Sequence, residues 1–412
     1  MTTLAFLTCY LLLQVGGFTP EVIEHAQAGA AALKDGRLDV AIQEFRKVTE
    51  LQPDSASGHA NLGEAYFQKS DYGAAVPELQ RALQINANLM GAHQTLGVAL
   101  LVQGDPEGAL PHLEKTRNPG LLGLAYLQTG QLGSAIMALQ AALDAQPKDP
   151  DLLYYFGRAT ALASKRTSEQ LAKANPGLAS KNGGAADSES RPQDVVALEQ
   201  ALAKQPNDSG LLLSFSRAAA AASRQAFDQV LQSSADSARA HQILAERAAG
   251  SSRLPEAERE YAESLRLKPY TSLVHLALGD VFAAERNWPA AVAQYRMEAQ
   301  LRPVSADAFY SLGAALLQQG EASGAVEGLA QADRLRPDSP QILLALGRAK
   351  FAANDAAGAE ASWTRLLGID RKSGVAAAAH LDLSTLYRRA GKLQEADREA
   401  AAYEQLRGQE GR

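Results

Sequence analysis

Seven histidines are the side chains in this 412-residue sequence best suited to metal or acid–base chemistry. Five of them, His59, His93, His241, His275 and His380, share one periodic position, four residues before a small side chain. Zinc and similar metals need histidines at i,i+4 on one helix face or on converging loops. Neither pattern occurs, and Phe309 and Leu343 fill the same slot elsewhere. The slot is therefore expected to pack between helices, with histidine in a half-buried structural role. Cys9 is the single cysteine, so neither an intramolecular disulfide nor a Cys-rich zinc site can form. It lies in an apolar leader, where it cannot act as a protected nucleophile. Glu256, Glu258, Glu260 and Glu263 alternate with Arg259 on a helical stretch. That pattern reads as a solvated face rather than a pair of catalytic carboxylates. No G-x-x-x-x-G-K-[ST] phosphate loop, G-x-G-x-x-G turn, G-x-S-x-G elbow or H-E-x-x-H helix is present. Catalytic residues, metal ligands and cofactors are accordingly expected to be none.

With 46 acidic and 40 basic residues the net charge is −6, which argues against a general nucleic-acid binder. Hydrophobic residues make up 46% of the chain, enough for a real core. Residues 1–20 stand apart, with a near-continuous apolar run from Leu4 to Val15 followed by Gly16, Gly17 and Pro20. The run is too short for an ordinary membrane-spanning helix. It matches the apolar region of a secretory signal, with Val15-x-Gly17 as a small-residue cleavage site and Ala26-Gln27-Ala28 as a second option. No Lys or Arg precedes it, and a hydrophobic cap on the first helix, or a misassigned start, is the other reading. The expected location is exported, periplasmic or extracellular, with the cytoplasm as the alternative. No later segment is long and apolar enough to anchor the chain.

The elements that position these residues repeat. A small residue recurs at Gly29, Gly63, Gly97, Gly123, Gly157, Ser216, Ala245, Gly279, Gly313, Gly347 and Ser384. Six of the steps between neighbours are 34 residues. Twelve positions on stands an alanine: Ala41, Ala75, Ala109, Ala135, Ala257, Ala291, Ala325, Ala359 or Ala396. Sixteen positions on comes a bulky residue: Phe45, Leu79, Leu113, Leu139, Tyr261, Tyr295, Leu329 or Trp363. Pro53, Pro147, Pro269, Pro303 and Pro337 follow at twenty-four, where proline stops a helix.

This register resembles the tetratricopeptide repeat over nearly everything from Glu21 to about Leu406. The resemblance implies an all-α fold, a right-handed superhelical solenoid of about ten to eleven helix-turn-helix repeats. Small side chains let the two helices of a hairpin cross closely, and stacked neighbours bury each other's apolar faces. The first helix of each hairpin would line a concave groove. Carried over by position, the amino-terminal groove offers Glu64, Phe67, Gln94, Val98, Leu101, Leu124, Leu127, Tyr154 and Arg158. The carboxy-terminal groove offers Arg217, Arg239, Gln242, Glu246, Asp280, Tyr310, Leu317, Arg348, Phe351 and Arg388. The clamp by which some relatives hold carboxyl-terminal chaperone tails is not expected. Only Asn61 matches it, the other positions holding Ala60, Gln94, Thr95 and Leu121.

Departures from the period set the organisation. The step 97→123 is 26 residues, 216→245 is 29 and 347→384 is 37, with the extra residues placed at Ser373–Val375. Pro206 falls 25 residues late, and the polar, Gly-rich stretch before it reads as a flexible linker. The expected domains are a leader at 1–20, a first array at 21–174, the insertion at 175–192, a second array at 193–407 and a polar tail at 408–412. Repeats occupy almost all the chain, leaving no room for a catalytic domain. The expected function is a non-enzymatic scaffold binding an extended or helical segment of a protein partner in its groove. The alternative is an assembly or regulatory subunit of a membrane-associated secretion, pilus or polysaccharide export machine. Nucleic acid and, once the leader is removed, a membrane span are not expected, while self-association stays open. The leader and the alanine-rich repeats point to a bacterial source.

Overall fold

The computed structural model describes residues 19–180, 194–271 and 273–410; the leader through Phe18 and residues 181–193 of the insertion lie outside that range. Among the described residues there are helices and no strand. They form two compact units, 1–240 and 241–412. The first contains α1 (Pro20–Lys34), α2 (Leu38–Leu51), α3 (Ala56–Gln68), α4 (Tyr72–Ile85), α5 (Met90–Gln103), α6 (Pro106–Thr116), α7 (Pro119–Gln128), α8 (Leu132–Ala145), α9 (Pro150–Ala174), α10 (Pro176–Ala179), α11 (Val195–Lys204) and α12 (Ser209–Ser233). The chain passes to the second within α13 (Ala238–Gly250). There follow α14 (Leu254–Leu267), α15 (Val274–Ala284), α16 (Trp288–Leu301), α17 (Ala306–Gln319), α18 (Ala322–Leu335), α19 (Pro340–Ala352), α20 (Ala356–Ile369), α21 (Gly374–Arg389) and α22 (Leu393–Glu410).

Local chemistry sets the helix ends. Ser55, Asp71, Asp105, Asp208 and Ser305 each accept a backbone N–H from the first turn that follows, relieving donors that the helix itself leaves unpaired. Gly104 and Gly320 close α5 and α17 in the left-handed region, at φ 89° and 90°, where a side chain would be strained.

The hairpins are held by one contact repeated with fixed spacing. A methyl group built on Gly63 would lie 2.6 Å from Leu79, one on Gly97 2.5 Å from Leu113, one on Gly279 2.5 Å from Tyr295 and one on Gly313 2.7 Å from Leu329. Gly29 faces Phe45, Gly123 faces Leu139 and Gly347 faces Trp363 in the same way. In each pair the bulky residue stands sixteen positions after the glycine and is almost wholly buried. Each hairpin then packs on the next through its second helix, giving a helical solenoid with a continuous core within each unit.

One hairpin departs from the sequence reading. Gly157 faces Phe227 at 2.7 Å, so the bulky partner comes seventy positions later instead of sixteen. The helices α9 and α12, 25 residues each, run antiparallel along their whole length. Ser164 donates to the Ser216 carbonyl at 2.8 Å, Ser168 and Ser216 hydroxyls meet at 2.6 Å, and Gln170 donates to the Pro206 carbonyl at 2.8 Å. Ser216 is therefore not the crossing residue of a repeat of its own. The supposed insertion before Pro206 and the supposed short repeat from 216 to 245 are parts of a single hairpin. Its two helices are lengthened, and α10 and α11 lie between them. That reading removes one repeat and leaves ten hairpins, at 29, 63, 97, 123, 157, 245, 279, 313, 347 and 384. It also places the insertion inside the first unit, whereas the sequence suggests a divider between two arrays. The short step 97→123 arises from trimmed elements, α6 and α7 having 11 and 10 residues. The long step 347→384 lengthens α21 at its start.

Candidate functional site: the face of the first helices

The odd-numbered helices of the first unit up to α9 begin hairpins, and α13, α15, α17, α19 and α21 do so in the second. Successive first helices touch through side chains in a recurrent register. Thr95 donates to Glu64 at 2.8 Å, linking α5 to α3, and Arg348 donates to Asp382 at 2.6 Å, linking α19 to α21. Both join the residue after one crossing glycine to the residue two before the next crossing. These bonds tie α3 to α5 in the first unit and α19 to α21 in the second along the side of the first helices.

The histidines also occupy a recurrent place, behind this face. His25, His59, His241 and His380 approach Glu44, Glu78, Glu260 and Glu399 through Nδ1 at 2.7, 2.6, 2.7 and 2.5 Å, each tying a first helix to its own second helix. His275 meets Gln294 at 2.8 Å and His93 meets His112 at 2.7 Å in the equivalent position. Nε2 of His59, His93 and His275 reaches the carbonyls of Pro53, Ala87 and Pro269 in the preceding loop. The slot does pack between helices, and it also carries a polar link that the sequence reading did not foresee. Burial, then the neighbouring His93 and Lys115, push the His112 imidazole below its ordinary range. No group of three or more His, Cys, Asp or Glu gathers at metal-binding distance among the described residues. Of the glutamates around Arg259, Glu260 takes the histidine link while Glu256 and Glu263 pair with Arg253 and Arg266 at the surface.

Several expected groove residues are spent on packing. Leu101 is buried in the core between α4 and α7. Tyr154 and Arg239 are buried together: the guanidinium lies 4.6 Å from the Tyr154 ring centre and 4.7 Å from that of Tyr155. Its Nε donates to Asp151 at 2.7 Å. Gln242 is buried and donates to Glu246 at 3.1 Å. Arg217 sits half-buried in the lengthened part of α12, a second helix, and so belongs to no first-helix face. These five are placed otherwise than position-by-position transfer implied: Arg217 because Ser216 is not a crossing, Tyr154 and Arg239 because they stack together, and Leu101 and Gln242 because packing buries them.

The others remain at the surface. Glu64, Phe67, Gln94, Val98, Leu124, Leu127 and Arg158 are half-buried in the first unit. Glu246, Tyr310, Leu317 and Phe351 are half-buried in the second, where Asp280, Arg348 and Arg388 are exposed. Phe67 makes an edge contact with Tyr72 at 5.5 Å, and Tyr295 donates to Asp280 at 2.7 Å. Phe351 lies 6.0 Å from Trp363 and carries the Arg389 guanidinium 4.7 Å above its ring. Leu276, Leu344 and Leu381 share the position of Tyr310, three before the crossing, and line the same face. Sequence reasoning passed over these three, although that shared position was the signal.

Models of the tetratricopeptide repeat match residues 27–89, 276–340 and 120–149. Among solved structures, MamA from Desulfovibrio magneticus has 19% identity and a TM-score of 0.40, covering 42% of this chain and 96% of its own. A structure of YrrB, described as a tetratricopeptide-repeat protein with an unusual peptide-binding site, has 16% identity and a TM-score of 0.39, over 44% of this chain and 91% of its own. PilF of Pseudomonas aeruginosa has 16% identity and a TM-score of 0.38, over 53% and 97%. No curated protein matches the sequence.

Proposed function

We propose that this tetratricopeptide-repeat protein is a non-enzymatic scaffold that holds an extended or helical polypeptide segment on the face of its first helices. The observation that carries the reading is an apolar row on the first helices that the core buries only in part. Four hairpins in succession, those beginning with α15, α17, α19 and α21, present half-buried or exposed Leu276, Tyr310, Leu317, Leu344, Phe351 and Leu381 beside Arg348 and Arg388. Apolar anchors give affinity through area removed from water, while arginine forks give direction through carboxylates and carbonyls. A preformed face lowers the ordering cost of capture, so binding needs no further chemistry.

The test is photo-cross-linking in the source cell, with benzoylphenylalanine placed at Leu317 or Phe351, and at exposed Arg296 on a second helix as control. A polypeptide captured at both face positions and not at the control supports the reading. Capture that is equal at all three, or capture from Leu317 that survives Arg348→Glu with Phe351→Ala, overturns it. We further propose that the protein is exported, on the strength of the apolar leader alone.

A further inference from the structure

The first-helix face of the second unit is polarised along its length. Glu246 and Asp280 stand on α13 and α15, at one end. Leu276, Tyr310, Leu344 and Leu381 form an apolar row through the middle, one per hairpin on α15, α17, α19 and α21. At the far end are Arg348, Arg388, Arg389 and Lys392. Of the carboxylates near that end, Asp382 accepts from Arg348 and Glu360 accepts from Tyr387 at 2.8 Å, while Glu395 and Glu399 act on Tyr387 from α22. Asp307 of the middle is held by both guanidinium nitrogens of Arg336, at 2.7 and 3.0 Å. Arg388 is exposed and has no ion pair among the described residues. Arg389 is oriented over the Phe351 ring and Lys392 lies 5.5 Å from the centre of the Tyr387 ring, so both cations are set on aromatic supports. Positions 381, 385 and 388 follow a helical i, i+4, i+7 spacing, which puts the apolar anchor Leu381 and the cation Arg388 on one side of α21.

We propose that the segment held by the second unit is apolar in its middle and acidic at one end, and that its acidic end lies against Arg388 and Arg389 on α21. This rests on the face-binding reading above and adds the charge and the direction of the bound chain. An anion at α21 meets forked donors; the same anion at α13 and α15 meets Glu246 and Asp280, which repel it. A cationic segment would have the opposite preference. Two ends of opposite sign therefore select one orientation out of two, as complementary potentials do at interfaces generally.

The experiment uses the full-length chain and three fluorescent synthetic peptides of equal length and equal apolar content. One ends in four glutamates, one in four lysines and one in four serines. Binding is read by anisotropy at low and at moderate salt. The acidic peptide is expected to bind about tenfold or more tighter than the lysine peptide, with the gap shrinking as salt screens it. Arg388→Glu alone is expected to narrow the gap, and Arg388→Glu with Arg389→Glu to abolish or reverse it. A cross-linker on the glutamate end should attach to α21, and one on the other end to α15 or α17. Equal affinity of the three peptides, or an acidic preference untouched by the charge reversals, overturns the proposal while leaving face binding intact. If no peptide binds, the serine one included, both this proposal and the face-binding reading fall together.

Discussion

Gly157 and Phe227 provide a sharp test of the lengthened hairpin. An alanine at 157 would set its methyl 2.7 Å from Phe227 Cε1 and 3.0 Å from Cδ1 and Cζ, well inside ordinary contact. Forcing an extra methyl into such a site costs about 1–3 kcal/mol. Against that, alanine is better than glycine inside a helix by about 1 kcal/mol. Gly157→Ala alone should therefore be destabilising by up to about 2 kcal/mol. With the ring removed by Phe227→Ala, the same change at 157 should turn stabilising by about 1 kcal/mol, because only the helix preference remains. The coupling between the two sites is then about 1–3 kcal/mol, well above the roughly 0.5 kcal/mol scatter expected of independent positions. The assay is urea unfolding of the four proteins of the cycle, followed by far-ultraviolet circular dichroism. Hydrogen exchange on α9 and α12 would accompany it, since arrays of repeats open in parts. Additive effects would refute the pairing. So would a coupling of equal size between Gly157 and Gln232, the residue sixteen after Ser216.

Further outcomes follow from buried polar groups and from the leader. Glu298 is almost fully buried, neither carboxylate oxygen has a hydrogen-bond partner, and Arg302 is 3.8 Å away. Burial pushes its carboxyl above the ordinary range, opposed by the charges of Arg302 and His275. A raised folded-state value means stability that is present below the unfolded carboxylate range, near pH 4.3, and lost as pH rises through the folded value. Glu298→Gln should flatten this dependence and be the more stable protein at neutral pH by about 1 kcal/mol, as thermal melts across pH 4–8 would show. Arg239→Ala should cost about 2–4 kcal/mol in urea unfolding, since it strips two aromatic stacks and the Asp151 bond, and lysine should not rescue it. If the leader is cleaved after Gly17, intact-mass measurement of the exported protein will give a chain beginning at Phe18.

The fold was legible because each crossing constrains several residues at once. Gly63, Ala75 and Leu79 must be small, small and bulky for α3 and α4 to approach, and that triplet survives at fixed spacing in most hairpins. The hairpin at Gly157 broke the reading because its bulky partner is displaced by the long excursion through α10 and α11. Ser216 then stood in as a false crossing, small for another reason: it bonds Ser164 and Ser168 where α9 and α12 touch. The candidate face was only partly legible. Position along a helix says which way a side chain points, and Phe67, Tyr310 and Phe351 stay half-buried and Arg388 exposed on first helices. It does not say what a neighbouring hairpin will do with them. Arg239 satisfies the positional rule yet is claimed by Asp151, Tyr154 and Tyr155. The histidine links were invisible for a similar reason, as their partners lie nineteen residues away on the second helix.

The hairpin of α9 and α12 also changes how the gene can be edited. Its excess length is 54 residues, the 88 from its own crossing at Gly157 to the next at Ala245 less the usual 34. The chain has in effect been spliced at a hairpin tip, where two helices zipped by serines bring the cut ends back together. A reporter or a second domain grafted between Ser180 and Asp194 would follow α10 and precede α11, between the two long helices in sequence. Loop length there carries only a logarithmic entropic cost. The interruption of this hairpin is thus a ready attachment port for cargo carried by the first unit.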